Sequence, residues 1–233
     1  MILYFCFLSE PDELSDNYPM RRNPRGVCLI INNLCFGNKN EDRYGGEYDE
    51  KIVVELFGEE LGFEVYVKND LRSHQMLEAV EEIASIDHDN YDAFFCFVMS
   101  HGGDRDTIMG VKGRKVGTEE LMAEFTSKQC PSLANKPKVL IIQACRGELE
   151  DESMPSIGDV TDGAVAGFSK DSTLCRSVCP QEGDFLLAFS TVPGYVSYRE
   201  PGFGTHFIQV SSTYVLNGQS HGDFSYLLCH KFD

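Results

Sequence analysis

The sequence predicts an α/β fold of three layers, in which a central, mostly parallel β-sheet is flanked by helices. Two observations indicate this architecture. Short apolar runs rich in β-branched residues, typical of strands buried on both faces, recur along the chain. Segments with apolar residues at three-and-four spacing, typical of amphipathic helices, separate these runs. Strands that alternate with helices in this way form βαβ units and a doubly wound sheet.

The individual elements follow from these patterns in chain order. Strands are predicted at 27–32, 63–67, 93–99, 138–143 and 184–191. Helices are predicted at 47–61, 74–86, 118–126, 205–216 and 223–230. A glycine-rich hairpin is predicted at 108–116 and a loop at 193–204. A length of 233 residues is ordinary for one α/β domain with a substantial core.

The regular pattern stops at 148–183, which is acidic at first and then rich in Gly, Ser, Asp and Thr. A structureless stretch of this length inside a compact domain indicates a functional or cleavable linker. The apolar start of the chain, 1–8, is predicted to be an edge strand, an unstructured tail or a gene-model artefact rather than a signal peptide. The predicted organisation is a leader at 1–25, a larger region at 26–150, a linker at 151–183 and a smaller region at 184–233.

The chain carries 20 Lys and Arg residues against 37 Asp and Glu residues, which gives a formal net charge of −17. This charge disfavours nucleic acid and anionic membranes as partners, because both are recognised by positive surfaces. The nine cysteines form no C-x-x-C pair, and no N-x-[ST] sequon occurs, so a reducing, cytoplasmic location is expected. No Cys/His spacing suggests a zinc site, and no cofactor is predicted.

Two predicted strands lead into chemically reactive residues, His101 and Cys145, one βαβ crossover apart. Because adjacent parallel strands end at the same sheet edge, an imidazole can there take the proton of a thiol. Gly102 lets the backbone approach a substrate, and its N–H and that of Cys145 can together form an oxyanion hole. Taken alone, the cysteine has the alternative of an inert buried thiol, and the histidine that of a surface residue or a hydrogen-bonded core residue. His74 and His88 are expected in polar surface positions.

Four motifs in a fixed order are similar to those of caspases. They are CLIINN at 28–33, MSHGG at 99–103, KPKVLIIQACRG at 136–147 and GDFLLAFSTVPGYVSYR at 183–199. The chain resembles an effector-like member of this family over most of its length. The resemblance implies a caspase-like fold with a six-stranded sheet. It also implies a thiol endopeptidase that cuts protein substrates after Asp in apoptosis.

The resemblance further assigns roles to individual residues. The assignments are Cys145 for the nucleophile, His101 for the acid/base, Arg43, Gln143 and Arg199 for the pocket that binds the substrate Asp, and Ser197 and Tyr198 for the rest of the cleft. Two guanidinium groups suit a carboxylate pocket, because each makes paired, charge-assisted hydrogen bonds that a lysine does not reproduce.

The resemblance also implies a zymogen that is cut after Asp in the linker. Asp162 is favoured over Asp159 and Asp171, because Gly163 follows it in a stretch expected to be flexible. Caspases pair as homodimers through a final strand, and this sequence stops at Asp233, before that strand. A homodimer is therefore expected from the family, in a C-terminally truncated form that lacks the interface strand.

Two other functions are consistent with parts of the sequence. One is a truncated, inactive caspase homologue that regulates a full-length caspase; retention of the catalytic and pocket residues argues against it. The other is a related peptidase that prefers basic residues. Such an enzyme needs acidic residues in its pocket, which Arg43 and Arg199 oppose.

Overall fold

The computed structural model describes residues 4–7, 18, 20–39, 41–103, 105–149, 160–161, 183–200 and 202–212. These ranges contain thirteen strands, several of them only two or three residues long. The strands are β1 Tyr4–Phe7, β2 Gly26–Asn32, β3 Glu64–Asn69, β4 Ala93–Met99, β5 Thr107–Met109, β6 Lys115–Gly117, β7 Lys138–Gln143, β8 Gly147–Leu149, β9 Val160–Thr161, β10 Phe185–Phe189, β11 Gly194–Tyr195, β12 Tyr198–Glu200 and β13 Gly204–Thr205.

The central sheet has six strands in the order β1-β10-β7-β4-β2-β3. The five strands from β10 to β3 are parallel, and β1 pairs antiparallel with β10 at the edge. β2, β4 and β7 are buried along their whole length, as their continuous apolar sequences require. The predicted, mostly parallel sheet is confirmed. Of the three alternatives predicted for the apolar N-terminus, the edge strand is confirmed, because β1 lies at the edge of the sheet.

Helices pack on both faces of this sheet. They are α1 Gly46–Val54, continued by π-helical turns at Glu55–Glu60, α2 Ser73–Ala84, α3 Thr118–Ala123 and α4 at 206–212, with a short 3-10 turn at Pro131–Leu133. α2 and α3 bury Val80 and Leu121 against one face of the sheet. α1 and α4 bury Val53 and Ile208 against the other face. The predicted three layers are therefore present, and no helix in the described ranges is long and apolar enough to cross a membrane.

Two stretches predicted to lack regular structure contain short paired strands. The loop predicted at 193–204 holds β11, β12 and the start of β13. The stretch at 148–183 holds most of β8, which pairs with β11, and all of β9, which pairs with β12. Strands this short show too little alternation to be recognised in a sequence. The helix predicted at 223–230 and most of the linker lie outside the described residues, and the predicted region boundaries stay predictions.

His88 is fully buried, so its expected surface position is wrong. Its Nε2 lies 2.9 Å from the carbonyl oxygen of Ile83 near the end of α2, and its ring packs edge-on against Tyr91 and Phe94. The polar residues beside it in the sequence remain exposed while the ring itself turns inward. His74 is exposed, as expected.

Candidate active site

The carboxyl ends of β4 and β7 lie side by side at one edge of the central sheet. Met99 is opposite Gln143, and His101 and Cys145 each follow two residues later. The two loops touch through their backbones, because a Cβ atom built on Gly102 would lie 1.6 Å from the carbonyl oxygen of Cys145. No side chain fits at position 102, which accounts for the glycine. The fold thus brings the predicted nucleophile and base to the same edge.

The imidazole of His101 is buried and held by two neighbours. Its Nε2 lies 2.5 Å from the carbonyl oxygen of Glu41, and its ring packs on Phe36 with 4.5 Å between the centroids. A carbonyl only accepts hydrogen bonds, so in the neutral ring Nε2 carries the proton and Nδ1 is the acceptor. Nδ1 is buried and has no hydrogen-bond partner within the described ranges. Burial lowers the pKa of His101 to about 4, so the ring is neutral near pH 7.

The thiol of Cys145 lies beneath the backbone of Ser197. Its Sγ accepts a hydrogen bond from the N–H of Ser197 at 3.0 Å and lies 3.7 Å from the carbonyl oxygen of the same residue. Burial raises the pKa of Cys145 to about 11, although this N–H and two arginine charges act in the opposite direction. The resting group is therefore a neutral thiol, which needs a base before it can act as a nucleophile.

Two buried arginines reach this site from distant parts of the sequence. Arg43 follows β2, and its Nη1 donates to the carbonyl oxygen of Asn33 at 3.0 Å and to Oδ1 of Asn32 at 3.3 Å. Arg199 lies in β12, and its Nε donates to the carbonyl oxygen of Tyr44 at 2.8 Å. Each arginine is only 1% exposed. Neither arginine is therefore a solvated surface residue.

Both arginines keep their charge in spite of burial. Desolvation lowers the pKa of Arg43 to about 10 and that of Arg199 to about 9, both still well above 7. The two charges also lower the pKa of Cys145, which burial raises. They lower the pKa of His101 as well, in the same direction as burial. The site therefore combines two neutral reactive groups with two fixed positive charges.

The remaining predicted cleft residues join the same group. Gln143, the last residue of β7, is fully buried, and its Nε2 donates to Oγ of Ser197 at 2.7 Å. Tyr198 is half-buried at the start of β12, directly after Ser197. The five predicted substrate-binding residues thus lie on segments that meet around Cys145. Asp162, the predicted processing site, lies outside the described residues.

Asp49, a buried carboxylate on α1, is not predicted from the sequence. Its Oδ1 accepts a hydrogen bond from the N–H of Thr205 at 2.7 Å, and its charge acts on both pocket arginines. A signal was present, because Asp49 precedes Val53 and Leu56 by four and seven residues and so lies on the buried stripe of the helix. The carbonyl of Glu41 was also missed, since a backbone contact leaves no mark in a sequence.

The chemistry available at this edge is that of a thiol beside an anion-binding pocket. In the part of the chain that the structure describes, no group of three His, Cys, Asp or Glu side chains could hold a metal ion. A neutral imidazole with a free acceptor nitrogen can remove the proton of the thiol. Together with the arginines, the arrangement can support nucleophilic attack on a bond next to a bound carboxylate.

Comparison with known proteins is consistent with this geometry. The family model described as the caspase domain matches residues 25–230. Caspase-8 of Rattus norvegicus is 38% identical over 205 residues, which cover 84% of this chain and 42% of the rat protein. Caspase-3 of Bos taurus is 37% identical over 198 residues, which cover 84% of this chain and 67% of the bovine protein. The chain spans less than half the length of its caspase-8 relatives.

Proposed function

Because the chain belongs to the caspase family, we propose that it is a cysteine endopeptidase that cleaves protein substrates after Asp and acts in apoptosis. The observation that carries the proposal is the convergence of two buried, charged arginines on a thiol and a neutral imidazole. A substrate carboxylate held by these arginines would lie beside the sulfur of Cys145, because both guanidinium charges act on it. The chemistry needs no cofactor.

The proposed reaction has two stages. Substrate entry displaces Ser197 from the sulfur, and Nδ1 of His101 takes the thiol proton. The thiolate attacks the main-chain carbonyl carbon of the substrate Asp. The backbone N–H groups of Gly102 and Cys145 stabilise the oxyanion that forms. His101 then passes the proton to the leaving amine. Water, deprotonated by the same ring, hydrolyses the thioester, which releases the acid and restores the thiol.

A matched pair of peptides tests the proposal. One peptide has Asp before the cleaved bond, and its twin has Lys at that position. The wild-type chain should cleave the Asp peptide and leave the Lys peptide intact. Cys145→Ala should abolish cleavage, whereas Cys35→Ala, a control at an exposed cysteine, should preserve it.

The other outcomes are equally informative. Cleavage of the Lys peptide alone would overturn the assignment of the arginine pocket. If the wild-type chain is folded by circular dichroism and cleaves neither peptide, the alternative function is favoured, that of an inactive homologue that regulates a full-length caspase.

The proposal includes synthesis as a zymogen that is cut after Asp162. The pairing of β9 with β12 supports this site, since Thr161 lies opposite Tyr198 in an antiparallel register. An extended segment that adds to a strand edge gains backbone hydrogen bonds in the way that bound peptides do. Asp162 follows Thr161 in the sequence, and Ser197, whose N–H binds the thiol, precedes Tyr198. A substrate strand that pairs with β12 in this register would bring the residue opposite Ser197 next to the catalytic cysteine.

Self-processing can be followed directly by mass spectrometry. The wild-type chain should yield fragments 1–162 and 163–233, and Asp171→Ala, the matched control, should yield the same pair. Asp162→Ala and Cys145→Ala should stay intact. Because β9 and β12 belong to one chain, the first-order rate constant should not depend on protein concentration. Wild-type cleavage at Asp159 or Asp171 instead would overturn the assignment.

Homodimerisation and a cytoplasmic location are expected from the family and stay predictions. The cysteines that the structure describes individually, Cys28, Cys35, Cys96, Cys130 and Cys145, are free thiols, which suits a reducing compartment. Sedimentation of the purified chain measures the oligomeric state, and a mass of two chains is the expected result.

A further inference from the structure

A buried carboxylate connects the two segments that carry the pocket arginines. Asp49 lies on α1, which begins three residues after Arg43, and its side chain is fully buried. Its Oδ1 accepts the hydrogen bond of the Thr205 N–H at 2.7 Å. Thr205 belongs to β13 and lies opposite Arg199 of β12. The carboxylate therefore ties β13, the strand paired with that of Arg199, to the helix that follows Arg43.

One carboxylate oxygen of Asp49 lies close against β13, whereas the other has no hydrogen-bond partner among the described residues. A Cβ atom on Gly204 would lie 2.4 Å from Oδ1 of Asp49, so the backbone of β13 rests directly on the carboxylate. The second oxygen, Oδ2, is buried and has no hydrogen-bond partner among the described residues. An ionised oxygen in such a position is costly unless nearby charges compensate it. The cations that act on Asp49 are the two pocket arginines.

The charges of this group leave an excess of one positive charge. Among the buried groups, Arg43 and Arg199 contribute two positive charges and Asp49 contributes one negative charge; Glu47, whose charge also acts on Arg199, is exposed to solvent. Burial has the largest effect on the pKa of both arginines and lowers it. Repulsion by Arg43 lowers the pKa of Arg199 further, whereas the charge of Asp49 raises the pKa of both arginines. The remaining positive charge equals the charge of one substrate carboxylate, so the pocket becomes neutral when one Asp side chain is bound.

We propose that Asp49 is a positioning residue for substrate specificity: it holds the two guanidinium groups together against their repulsion and leaves the pocket the single positive charge that one carboxylate neutralises. This inference rests on the proposed cleavage after Asp. Asp49 contacts β13 and acts through its charge on the two arginines, and none of its hydrogen bonds involves Cys145 or His101 in the part of the chain that the structure describes. Its removal should therefore weaken substrate binding far more than the chemical step, with a raised KM and a nearly unchanged kcat.

Two substitutions separate the charge of Asp49 from its hydrogen bond. Asp49→Asn keeps an acceptor for the Thr205 N–H and removes the charge, whereas Asp49→Ala removes both. Both variants should raise KM for the Asp peptide by about tenfold or more and change kcat by less than about threefold. Asp92→Asn is the matched control, because Asp92 is also buried but accepts its hydrogen bonds from backbone N–H groups outside the pocket. It should leave KM unchanged.

Each contrary result has a definite meaning. A KM that rises in Asp49→Ala and stays normal in Asp49→Asn would assign the effect to the hydrogen bond alone and overturn the inference. An unchanged or lower KM in both variants would also overturn it. Absence of cleavage by the wild-type chain would instead refute the proposed function, so the two failures are distinguishable.

A pH profile provides a second measurement that does not require these variants to fold. Burial raises the pKa of Asp49 to about 6, against the hydrogen bond from Thr205 and the arginine charges. The other charged or titratable groups on the elements around it are Arg43, Glu47, Tyr48, Glu50, Lys51, Tyr198, Arg199, Glu200 and His206. In a His206→Gln background, which removes the exposed imidazole, KM should rise as the pH falls from 7 to 5. A flat KM over this range would overturn the inference.

Discussion

The sheet edge that holds Cys145 and His101 and the pocket that holds the arginines are equally buried, yet one is neutral and the other is charged. At the edge, burial raises the pKa of the thiol to about 11 and lowers that of the imidazole to about 4. In the pocket, the same effect lowers the pKa of Arg43 to about 10 and of Arg199 to about 9. Desolvation thus holds the thiol and the imidazole in their neutral forms near pH 7 and leaves the guanidinium groups charged, because the ordinary pKa of a guanidinium is so high.

The two regions also differ in how the chain builds them. The sheet edge comes from two neighbouring strand ends whose backbones touch at Gly102. The pocket comes from three segments, a loop, a helix and a short strand pair, that are joined by single hydrogen bonds. Added side-chain bulk should therefore disrupt the sheet edge, whereas a change of charge or of hydrogen-bond geometry should disrupt the pocket.

The largest loss of activity is expected for Gly102→Ala, a substitution that crowds the sheet edge. The added methyl group would meet the carbonyl of Cys145 at 1.6 Å, so the two catalytic loops must separate. We expect kcat/KM for the Asp peptide to fall by about 1000-fold or more. Gly202→Ala is the matched control, because a Cβ at that position meets no atom within 4 Å. Activity of Gly102→Ala within tenfold of wild type would show that the contact is not critical.

A smaller loss is expected when the pocket keeps its charge and loses its geometry, in Arg199→Lys. An ammonium group cannot make the paired bonds of a guanidinium, and it also loses the bond from Nε to the carbonyl of Tyr44. We expect kcat/KM for the Asp peptide to fall by about 100-fold, which corresponds to about 3 kcal/mol. Arg21→Lys, at an exposed arginine, is the control. Equal activity of Arg199→Lys and wild type would mean that charge alone recognises the substrate.

The reactive residues at the sheet edge could be placed from strand patterns in the sequence, whereas the pocket arginines could be assigned only through the resemblance, for a physical reason. Long buried strands leave continuous apolar runs, and a reactive residue at the end of such a run has a predictable position. His101 and Cys145 were placed in this way. The arginines were identified only through their motifs, because a buried charge looks like a surface charge until its partners are known. Asp49, in the polar stretch GEYDEK, shows the same difficulty.

The short strands were missed for a related reason. β9, β12 and β13 are two or three residues long, and their pairing depends on partners distant in the sequence rather than on local alternation. Their register determines where Arg199 lies relative to Asp49. The specificity of the pocket thus depends on tertiary contacts that no local pattern encodes.

The two regions should respond to acid in opposite directions, which is the smallest expected effect. The folded-state pKa of His101, about 4, is below its ordinary 6.5, so its contribution to stability is present above pH 6.5 and lost as the pH falls towards 4. The folded-state pKa of Asp49, about 6, is above its ordinary 3.8, so its contribution grows as the pH falls from 6 towards 4. Each change amounts to about 2 kcal/mol between pH 7 and 4.5.

Urea unfolding of Cys145→Ala, which cannot process itself, and of its double variants at the two pH values separates these contributions. Adding His101→Gln should reduce the loss of stability on acidification by about 2 kcal/mol, because the buried neutral imidazole is gone. Adding Asp49→Asn should increase that loss by a similar amount, because the amide side chain does not take up a proton between pH 7 and 4.5 and so adds no stability in acid. With both substitutions, the pH dependence should return close to that of the parent. Shifts of the same sign in the two double variants would contradict the contrast between a neutral edge and a charged pocket.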